Sequence, residues 1–344
     1  MKNLGNKFKF LFGILISVFF LFIVIKKMDF KEVFQVIQSI KIIYLIPIFI
    51  ANITFYLMFA YRWQLLFTNF KTKPKFSSVL KVSIIGYMGN NIMPARLGEL
   101  LRLYLMKKKE KVKHGATLAT VVLEKGFDGI ALMLMFILVL FFSTVTKEHL
   151  YALETISYKQ LKMWGYIVSA IYLVLMGILF LFRTQIKFFV KLHNKLFVLL
   201  FNKISRKVGK FLFSFAGGLS AFKNFRDMFN IFLSSLLVWI CHAFIIYFCL
   251  KACSIEIPFA GAFFVLVFIG VACMIPSSPG FVGTLEFFAI LGLSCYGVDK
   301  DRALGFALLY HVLEMLPVTI IGIYLFIKES VHLKEVEAVN SNVN

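Results

Sequence analysis

The feature that most constrains this chain is a series of apolar segments long enough to cross a lipid bilayer. A helix rises about 1.5 Å per residue and the hydrocarbon core is roughly 30 Å thick, so about 20 apolar residues span it. Of the 344 residues, 60% are hydrophobic and 16% are charged, where a soluble domain has about a quarter charged. The chain is therefore predicted to be an all-α, polytopic integral membrane protein. About six full spans are predicted, at residues 10–25, 42–60, 115–142, 161–182, 229–251 and 303–327.

Two further apolar stretches, 78–106 and 258–297, are interrupted in the middle by residues that break helices. The interruptions read GNNIMPARLGE over 89–99 and IPSSPGFVG over 275–283. Clusters of Lys and Arg flank the first stretch on both sides, and such clusters are retained in the cytoplasm. A segment that begins and ends on one side is re-entrant. We therefore predict a first helical hairpin with its tip at 89–99 and a second with its tip at 275–283.

The distribution of positive charge predicts the orientation in the cell (plasma or inner) membrane. With both termini cytoplasmic and the second hairpin entering from outside, 27 of the 38 Lys and Arg lie inside. Ten of these lie in 183–228, a basic amphipathic segment suited to the cytoplasmic surface and its anionic lipids. The net charge of +21 thus reflects topology and does not indicate nucleic-acid binding. Two full spans at 258–297 would place the C-terminus outside, an alternative that the charges leave open.

An internal repeat is visible around the two hairpins. Proline and glycine stand four residues apart in both tips, as Pro94 and Gly98 and as Pro279 and Gly283. A carboxylate follows each pair, Glu99 in the first case and Glu286 in the second. The tripeptide Val-Leu-Glu then recurs in the next span, and it ends at Glu124 and at Glu314. The same order of features therefore occurs twice along the chain.

The repeat predicts two units, 42–142 and 229–327, inside a single membrane domain whose membrane region covers 10–327. The first span of one unit runs inward and that of the other runs outward, so the units are inverted. Inverted repeats built around discontinuous helices are typical of transporters that alternate access to a site near the bilayer midplane. The alternative is that both breaks have a purely structural origin.

Acidic residues at membrane depth are candidates for function. Five of the 17 acids fall there: Glu99, Glu124, Asp128, Glu286 and Glu314. A charge in lipid costs about 3 kcal/mol on insertion scales, so such residues usually face a cavity or a partner. Glu124 and Asp128 share one helix face, and His311 and Glu314 share another. These side chains are predicted to bind a cationic headgroup or to carry a coupling proton.

The hairpin tips offer groups that bind phosphate. Ser278 can cap a helix whose first residue is Pro279, so that the following half-helix would aim its N–H groups into the membrane. The predicted lipid or phosphate ligands are the amides of Asn90 and Asn91, the guanidinium groups of Arg96 and Arg102, and Ser277, Ser278 and Gly280. The alternative for Arg96 is an ion pair with Glu99. No metal site, cofactor site or catalytic motif is recognised, so we predict neither a cofactor nor enzymatic activity.

The tip sequence from Asn91 to Glu99, the Glu124-x3-Asp128 pair, the run from Pro276 to Glu286, and Glu314 together resemble the membrane region of lysylphosphatidylglycerol synthases. The resemblance covers about residues 10–327. It implies two re-entrant hairpins and a role in moving aminoacylated phospholipid, or another lipid-linked anion, between leaflets. Full-length synthases carry a C-terminal domain that transfers the amino acid from tRNA. This chain ends about 17 residues after its last predicted span, so that activity is not expected of it.

The sequence therefore favours a non-enzymatic lipid translocator, with a membrane lipid as substrate and anionic lipids at its cytoplasmic face. An aminoacylated phospholipid and a polyprenyl-phosphate-linked sugar are equally open as substrates. One alternative is the membrane subunit of an enzyme of lipid-linked glycan or aminoacyl-lipid synthesis, acting with a separate synthase or glycosyltransferase. Another is a membrane scaffold that recruits partners through 183–228.

Overall fold

The computed structural model describes residues 30–68, 70, 73–93, 97–142, 224–275 and 277–329, with single positions between 15 and 23 and between 163 and 181. All regular elements in these residues are helical, which confirms the all-α prediction. The helices are α1 (Phe30–Gln38), α2 (Leu45–Leu65), α3 (Phe76–Ile92), α4 (Gly98–Glu110), α5 (His114–Phe142), α6 (Phe225–Ala252), α7 (Phe259–Met274), α8 (Thr284–Ser294) and α9 (Lys300–Lys328). Short 3-10 turns at Ile42–Tyr44 and Pro279–Phe281 precede α2 and α8.

Long apolar helices form the frame of the molecule. Within the described residues, three helical segments are long and apolar enough to cross a membrane: Ile42–Leu65, α6 and α9. Helix α5 has 29 residues, and it also carries charged side chains. These four helices coincide with four of the predicted spans. The other two predicted spans, 10–25 and 161–182, and most of the segment 183–228 lie outside the described residues.

The two interrupted stretches form helical hairpins. Helices α3 and α4 pack against each other in the first hairpin, and α7 and α8 do so in the second. Helix α4 has 13 residues and α8 has 11, so each is about 16–20 Å long and too short to cross the bilayer. In the first hairpin the crossing is close, because a Cβ on Gly98 would lie 2.0 Å from the Gly86 carbonyl oxygen. Only glycine fits at that contact.

The ends of the first hairpin lie at one end of the bundle. Glu329, which follows α9, is within 2.5 Å of the Lys109 Nζ at the end of α4 and within 3.8 Å of the Lys81 Nζ near the start of α3. The hydrogen bond that Lys109 donates holds the pKa of Glu329 below its ordinary value. The first hairpin thus begins and ends beside the C-terminus of α9, as a re-entrant segment requires.

The ends of the second hairpin lie at the opposite end of the bundle. The start of α7 meets the end of α8, because a Cβ on Gly261 would lie 3.2 Å from the Tyr296 ring. Arg302, near the start of α9, donates to the backbone oxygen of Ser254 just before α7. The backbone N–H of Lys41, before α2, donates to the oxygen of Ala252 at the end of α6. The two hairpins therefore enter the bundle from opposite ends.

Helix packing follows the order that two inverted units would give. Helix α9 packs along α3, while its counterpart α5 packs against α7, the counterpart of α3. Helices α2 and α6 pack against each other between the units. The short helix α1 was not predicted from the sequence. It packs against the start of α9, where a Cβ on Gly305 would lie 2.5 Å from Val36.

The arrangement of the ends predicts a labelling pattern. In a background lacking Cys241, Cys249, Cys253, Cys273 and Cys295, the variant Asp299→Cys should react with a membrane-impermeant thiol reagent in intact cells. Lys111→Cys should react only after the cells are permeabilised, because Lys and Arg concentrate on the cytoplasmic side. Both positions are exposed. Labelling of Lys111→Cys from outside would contradict the re-entrant first hairpin.

Candidate functional site

The tips of the two hairpins meet inside the bundle. The turn Pro279–Phe281 packs against the end of α3, where a Cβ on Gly280 would lie 3.4 Å from the Asn91 backbone oxygen. Gly280 also has a φ of +72°, which an L side chain rarely adopts. The Asn91 side chain donates to the Thr319 Oγ1 of α9 over 3.0 Å. Both tips therefore rest against α9 at a common point.

Arg102 forms the centre of a buried ion-pair cluster. Its Nη1 and Nη2 donate to the two carboxylate oxygens of Glu124 over 2.9 and 2.7 Å, and Nη1 also donates to Glu99 over 3.0 Å. The guanidinium lies 3.8 Å from the centre of the Trp63 ring. Such a two-pronged contact fixes α4 to α5. In this structure the forked end of Arg102 is occupied by carboxylates, and a contact of Arg102 with phosphate stays a prediction.

A second arginine, Arg62 of α2, was not predicted to be functional. Its side chain is fully buried and donates to both oxygens of Asp128 in α5. The indole nitrogen of Trp239 in α6 donates to the same carboxylate over 2.9 Å. Arg62 had been placed in the loop after the 42–60 span, but α2 continues to Leu65. The only sign of this role in the sequence was a charged residue within a stretch that could continue the helix.

In the second hairpin the protein's own carboxylate occupies the helix terminus. The backbone N–H of Gly283, which precedes α8, donates to Glu286 over 2.7 Å. The predicted cap, Ser278, makes no side-chain hydrogen bond to the backbone N–H groups of the turn that follows it. Pro279 begins a short 3-10 turn with Ser278 at its N-cap position, and the α-helix itself begins after Gly283. Glu286 occupies the N-terminus of that α-helix in this structure, and phosphate binding at the tip stays a prediction.

Glu286 also bonds His311 of α9. The Nδ1 of His311 lies 2.5 Å from the Glu286 Oε1, and its Nε2 lies 2.7 Å from the Gly280 carbonyl oxygen. A carbonyl oxygen can only accept, so Nε2 carries a hydrogen. His311 therefore connects the second tip to α9 through both ring nitrogens. His311 and Glu314, which were predicted to share a helix face, both line the cavity described next.

A cavity of about 270 Å³ lies where the tips, α2, α5, α6 and α9 meet. Its lining includes the charged and polar residues Arg62, Glu99, Lys125, Asp128, His311 and Glu314. It also includes the aliphatic residues Leu132, Val238, Leu266, Ile269 and Leu285. Aromatic side chains complete it, among them Phe55, Phe59, Tyr87, Trp239 and Tyr310.

The cavity brings together about half of the predicted site residues. Those that line it are Asn90, Asn91, Glu99, Asp128, Gly280, His311 and Glu314. Those described elsewhere are Gly98, Arg102, Glu124, Ser277, Ser278, Pro279, Gly283 and Glu286, which lie in the hairpins and in the ion pairs behind the wall. Pro94, Arg96 and Pro276 lie outside the described residues. In the described part, no group of three or more potential ligands could hold a metal ion.

The fold and the cavity define a multi-pass, all-α membrane protein with a polar site where two helical hairpins meet. Residues 10–322 match the model of the lysylphosphatidylglycerol synthase TM region, and the chain belongs to that family. It is 26% identical over 240 residues to the UPF0104 membrane protein MJ1078 of Methanocaldococcus jannaschii, covering 69% of this chain and 92% of that protein. It is 24% identical over 135 residues to the UPF0104 membrane protein MJ1595 of the same organism, covering 39% and 40%.

Proposed function

We propose that this protein is a lipid translocator, which moves an anionic or aminoacylated phospholipid, or a polyprenyl-phosphate-linked sugar, between leaflets. The observation that carries the proposal is that a single cavity is lined both by charged groups and by aliphatic groups. A lipid combines the same two chemistries in its headgroup and its chains. The name of the family, which refers to the synthesis of an aminoacylated phospholipid, supports a lipid substrate.

The energetic problem of lipid translocation is the headgroup. A phosphate or ammonium group that enters hydrocarbon loses its water, and protein groups must replace that solvation. Acyl chains face no such barrier and can remain in the bilayer. The volume of about 270 Å³ is near the lower limit of small-molecule sites, about 300 Å³. The cavity therefore suits a headgroup and not a whole lipid.

Lys125 is the cation best placed to meet a phosphate among the described residues of the cavity. Its side chain is 48% exposed, and its Nζ lies 3.9 Å from Glu99 and 3.8 Å from Glu124. Those distances exceed hydrogen-bond length, so Lys125 is held less firmly than Arg62 or Arg102. The Nδ1 of His242 is buried and has no hydrogen-bond partner in the described structure, and it lines the same cavity. Arg96 stays a predicted phosphate ligand.

Two inverted hairpins that meet at one cavity suit alternating access. In such a mechanism one unit moves against the other around a site that stays near the midplane. The two units would slide along two helix–helix interfaces. One is between α9 and α3, and the other is between α5 and α7. In the cell we propose the plasma or inner membrane as the location, with both termini cytoplasmic, and a separate synthase or glycosyltransferase as the source of the lipid.

Reconstitution tests the proposal. Purified protein in liposomes should move at least one labelled lipid from a panel of phosphatidylglycerol, its lysyl ester and polyprenyl-phosphate sugars. An impermeant quencher reports the leaflet of each label, and protein-free vesicles give the background. Lipids that co-purify with the protein, identified by mass spectrometry, extend the panel. Transport of none of these lipids would reject translocation and favour the enzyme-subunit alternative.

A further inference from the structure

The charged groups around the first hairpin neutralise one another. Three cations and three carboxylates lie in one cluster, with nitrogen–oxygen distances of at most 4.0 Å: Arg62, Arg102, Lys125, Glu99, Glu124 and Asp128. Charges buried at membrane depth are tolerated when they are paired in this way. This cluster therefore adds no net charge to the cavity.

The Glu286–His311 pair is also neutral. The Nε2 of His311 carries a hydrogen, which it donates to the Gly280 carbonyl oxygen. The short contact of 2.5 Å between Nδ1 and Glu286 needs a second proton between the two atoms. Whether that proton is closer to the nitrogen or to the oxygen, the pair has no net charge.

Glu314 belongs neither to the ion-pair cluster nor to the Glu286–His311 pair. Its carboxylate lines the cavity, and among the described residues it makes no hydrogen bond or ion pair. The hydroxyl of Tyr56 donates to the backbone carbonyl oxygen of Glu314 over 3.4 Å and not to its carboxylate. Among the described residues Glu314 is thus the one acid at this cavity without an ion pair of its own, and the positive group that acts on it, His311, is bound by Glu286.

The internal repeat shows which residue stands in the second unit at the position of Arg102. Glu314 corresponds to Glu124 in the Val-Leu-Glu repeat, and Glu124 is bound by Arg102, four residues after Gly98. Four residues after Gly283 the second unit has Phe287. The second unit therefore keeps the acid of the first unit and replaces its arginine with an apolar ring.

The titratable groups near Glu314 add no positive charge apart from His311, which forms a neutral pair with Glu286. Tyr56 of α2, Tyr87 of α3, and Tyr310 and His311 of α9 interact with Glu314, and His242 of α6 and Cys273 of α7 line the same cavity. His242 bonds the Tyr310 hydroxyl over 2.6 Å, and His311 is engaged by Glu286. Lys125 and Asp128 of α5 lie on the same cavity and belong to the neutral cluster.

We propose that Glu314 binds a proton and that occupancy of the cavity by an anionic lipid headgroup requires this proton. The inference rests on the proposed function. An ionised Glu314 and a phosphate in one cavity of about 270 Å³ would repel each other, as two carboxylates sharing a site do. Binding of the anion therefore favours the protonated form of Glu314. The proton and the headgroup then cross the membrane together, and their charges cancel.

Infrared spectroscopy tests the proton site without any transport assay. Difference spectra of the reconstituted protein between about pH 6 and about pH 9, a range in which exposed Asp and Glu stay ionised, should contain the carbonyl band of a protonated carboxylic acid, which shifts in D2O. Glu314→Gln should remove this band. Glu256→Gln, a matched change of an exposed acid in the loop before α7, should leave it unchanged. Adding phosphatidylglycerol should raise the midpoint pH of the band by about one unit or more.

The outcomes separate the proton site from the transport function. A band that survives Glu314→Gln, or a wild-type spectrum without it, overturns the proposal. If the Glu314 band appears only in the variant Arg96→Gln, Glu314 is ionised in the wild type through an ion pair with Arg96. That result would also overturn the proposal. A band whose midpoint does not move with phosphatidylglycerol rejects the coupling to an anionic headgroup. Failure of lipid transport in liposomes with the titrating band present would reject the proposed function and leave the proton site in place.

Discussion

Arg62→Leu is expected to lower the free energy of unfolding by about 3–5 kcal/mol. The side chain is fully buried and bonds Asp128 through two nitrogens, so its removal leaves a carboxylate at membrane depth with Trp239 as the one remaining donor among the described residues. A loss of this size is a large part of the total stability of a typical protein, about 5–15 kcal/mol. Denaturant titration of the purified protein in micelles, followed by circular dichroism, measures it.

Two further variants separate the charge effect from a loss of packing. Arg226→Leu makes the same change at an exposed arginine near the start of α6 and should cost less than about 0.5 kcal/mol. The double variant Arg62→Leu with Asp128→Asn should be more stable than Arg62→Leu alone, because the uncompensated charge is gone. Equal stability of Arg62→Leu and Arg226→Leu would show that the buried pair does not hold α2 to α5.

Arg62 also shows where hydropathy stops being informative. The predicted span ended near residue 60 because a charged residue normally marks the water interface, whereas α2 continues to Leu65. The charge is tolerated because Asp128, 66 residues later, neutralises it. Apolar length depends on local composition and is visible in a sequence. Pairing depends on packing between distant helices and is not.

The second hairpin shows a prediction that was correct in kind and wrong in detail. The break near Pro279 and the short helix after it followed from the proline and the glycines. The helix start was misplaced, because Ser278 and Pro279 match a common capping pattern. A competing pattern was present, since Glu286 stands three residues after Gly283 as in a capping box. Only the backbone conformation of the tip, with Gly280 and Gly283 at positive φ, decides between them.

The sequence predicted which residues belong to the candidate site, but not which side chains contact each other within it. The acids at membrane depth were recognised from their cost in lipid. Their different roles were not, because Glu124 is bound by Arg102 while Glu314 faces the cavity. Those roles depend on which side chain lies on the neighbouring helix, and the repeat gives both acids the same sequence context.

Gly270→Phe is expected to reduce lipid transport by about tenfold or more without unfolding the protein. Gly270 lies on α7 and lines the cavity. A Cβ at this position would meet only the Leu132 Cδ1, at 3.3 Å, so the backbone accepts a side chain there. The aromatic ring then extends into the space proposed for the headgroup. Gly270→Ala, which adds one methyl group, should transport at nearly the wild-type rate.

Gly177→Phe is the matched control for this change. Among the described residues nothing lies within 4 Å of a Cβ at Gly177, and Gly177 does not line the cavity, so the same ring is added away from it. Both variants should elute as single species and unfold at a similar denaturant concentration. A difference between them in transport then reports on the cavity and not on stability or expression.

The comparison of Gly270→Phe with Gly177→Phe in liposomes is the most direct test of the claim that a lipid headgroup crosses through this cavity. Leaflet-specific quenching gives the rate for the lipid that the wild-type protein moves. We expect a rate near that of protein-free vesicles for Gly270→Phe and near that of the wild type for Gly177→Phe. A folded Gly270→Phe variant that transports lipid at the wild-type rate would show that the headgroup takes another path.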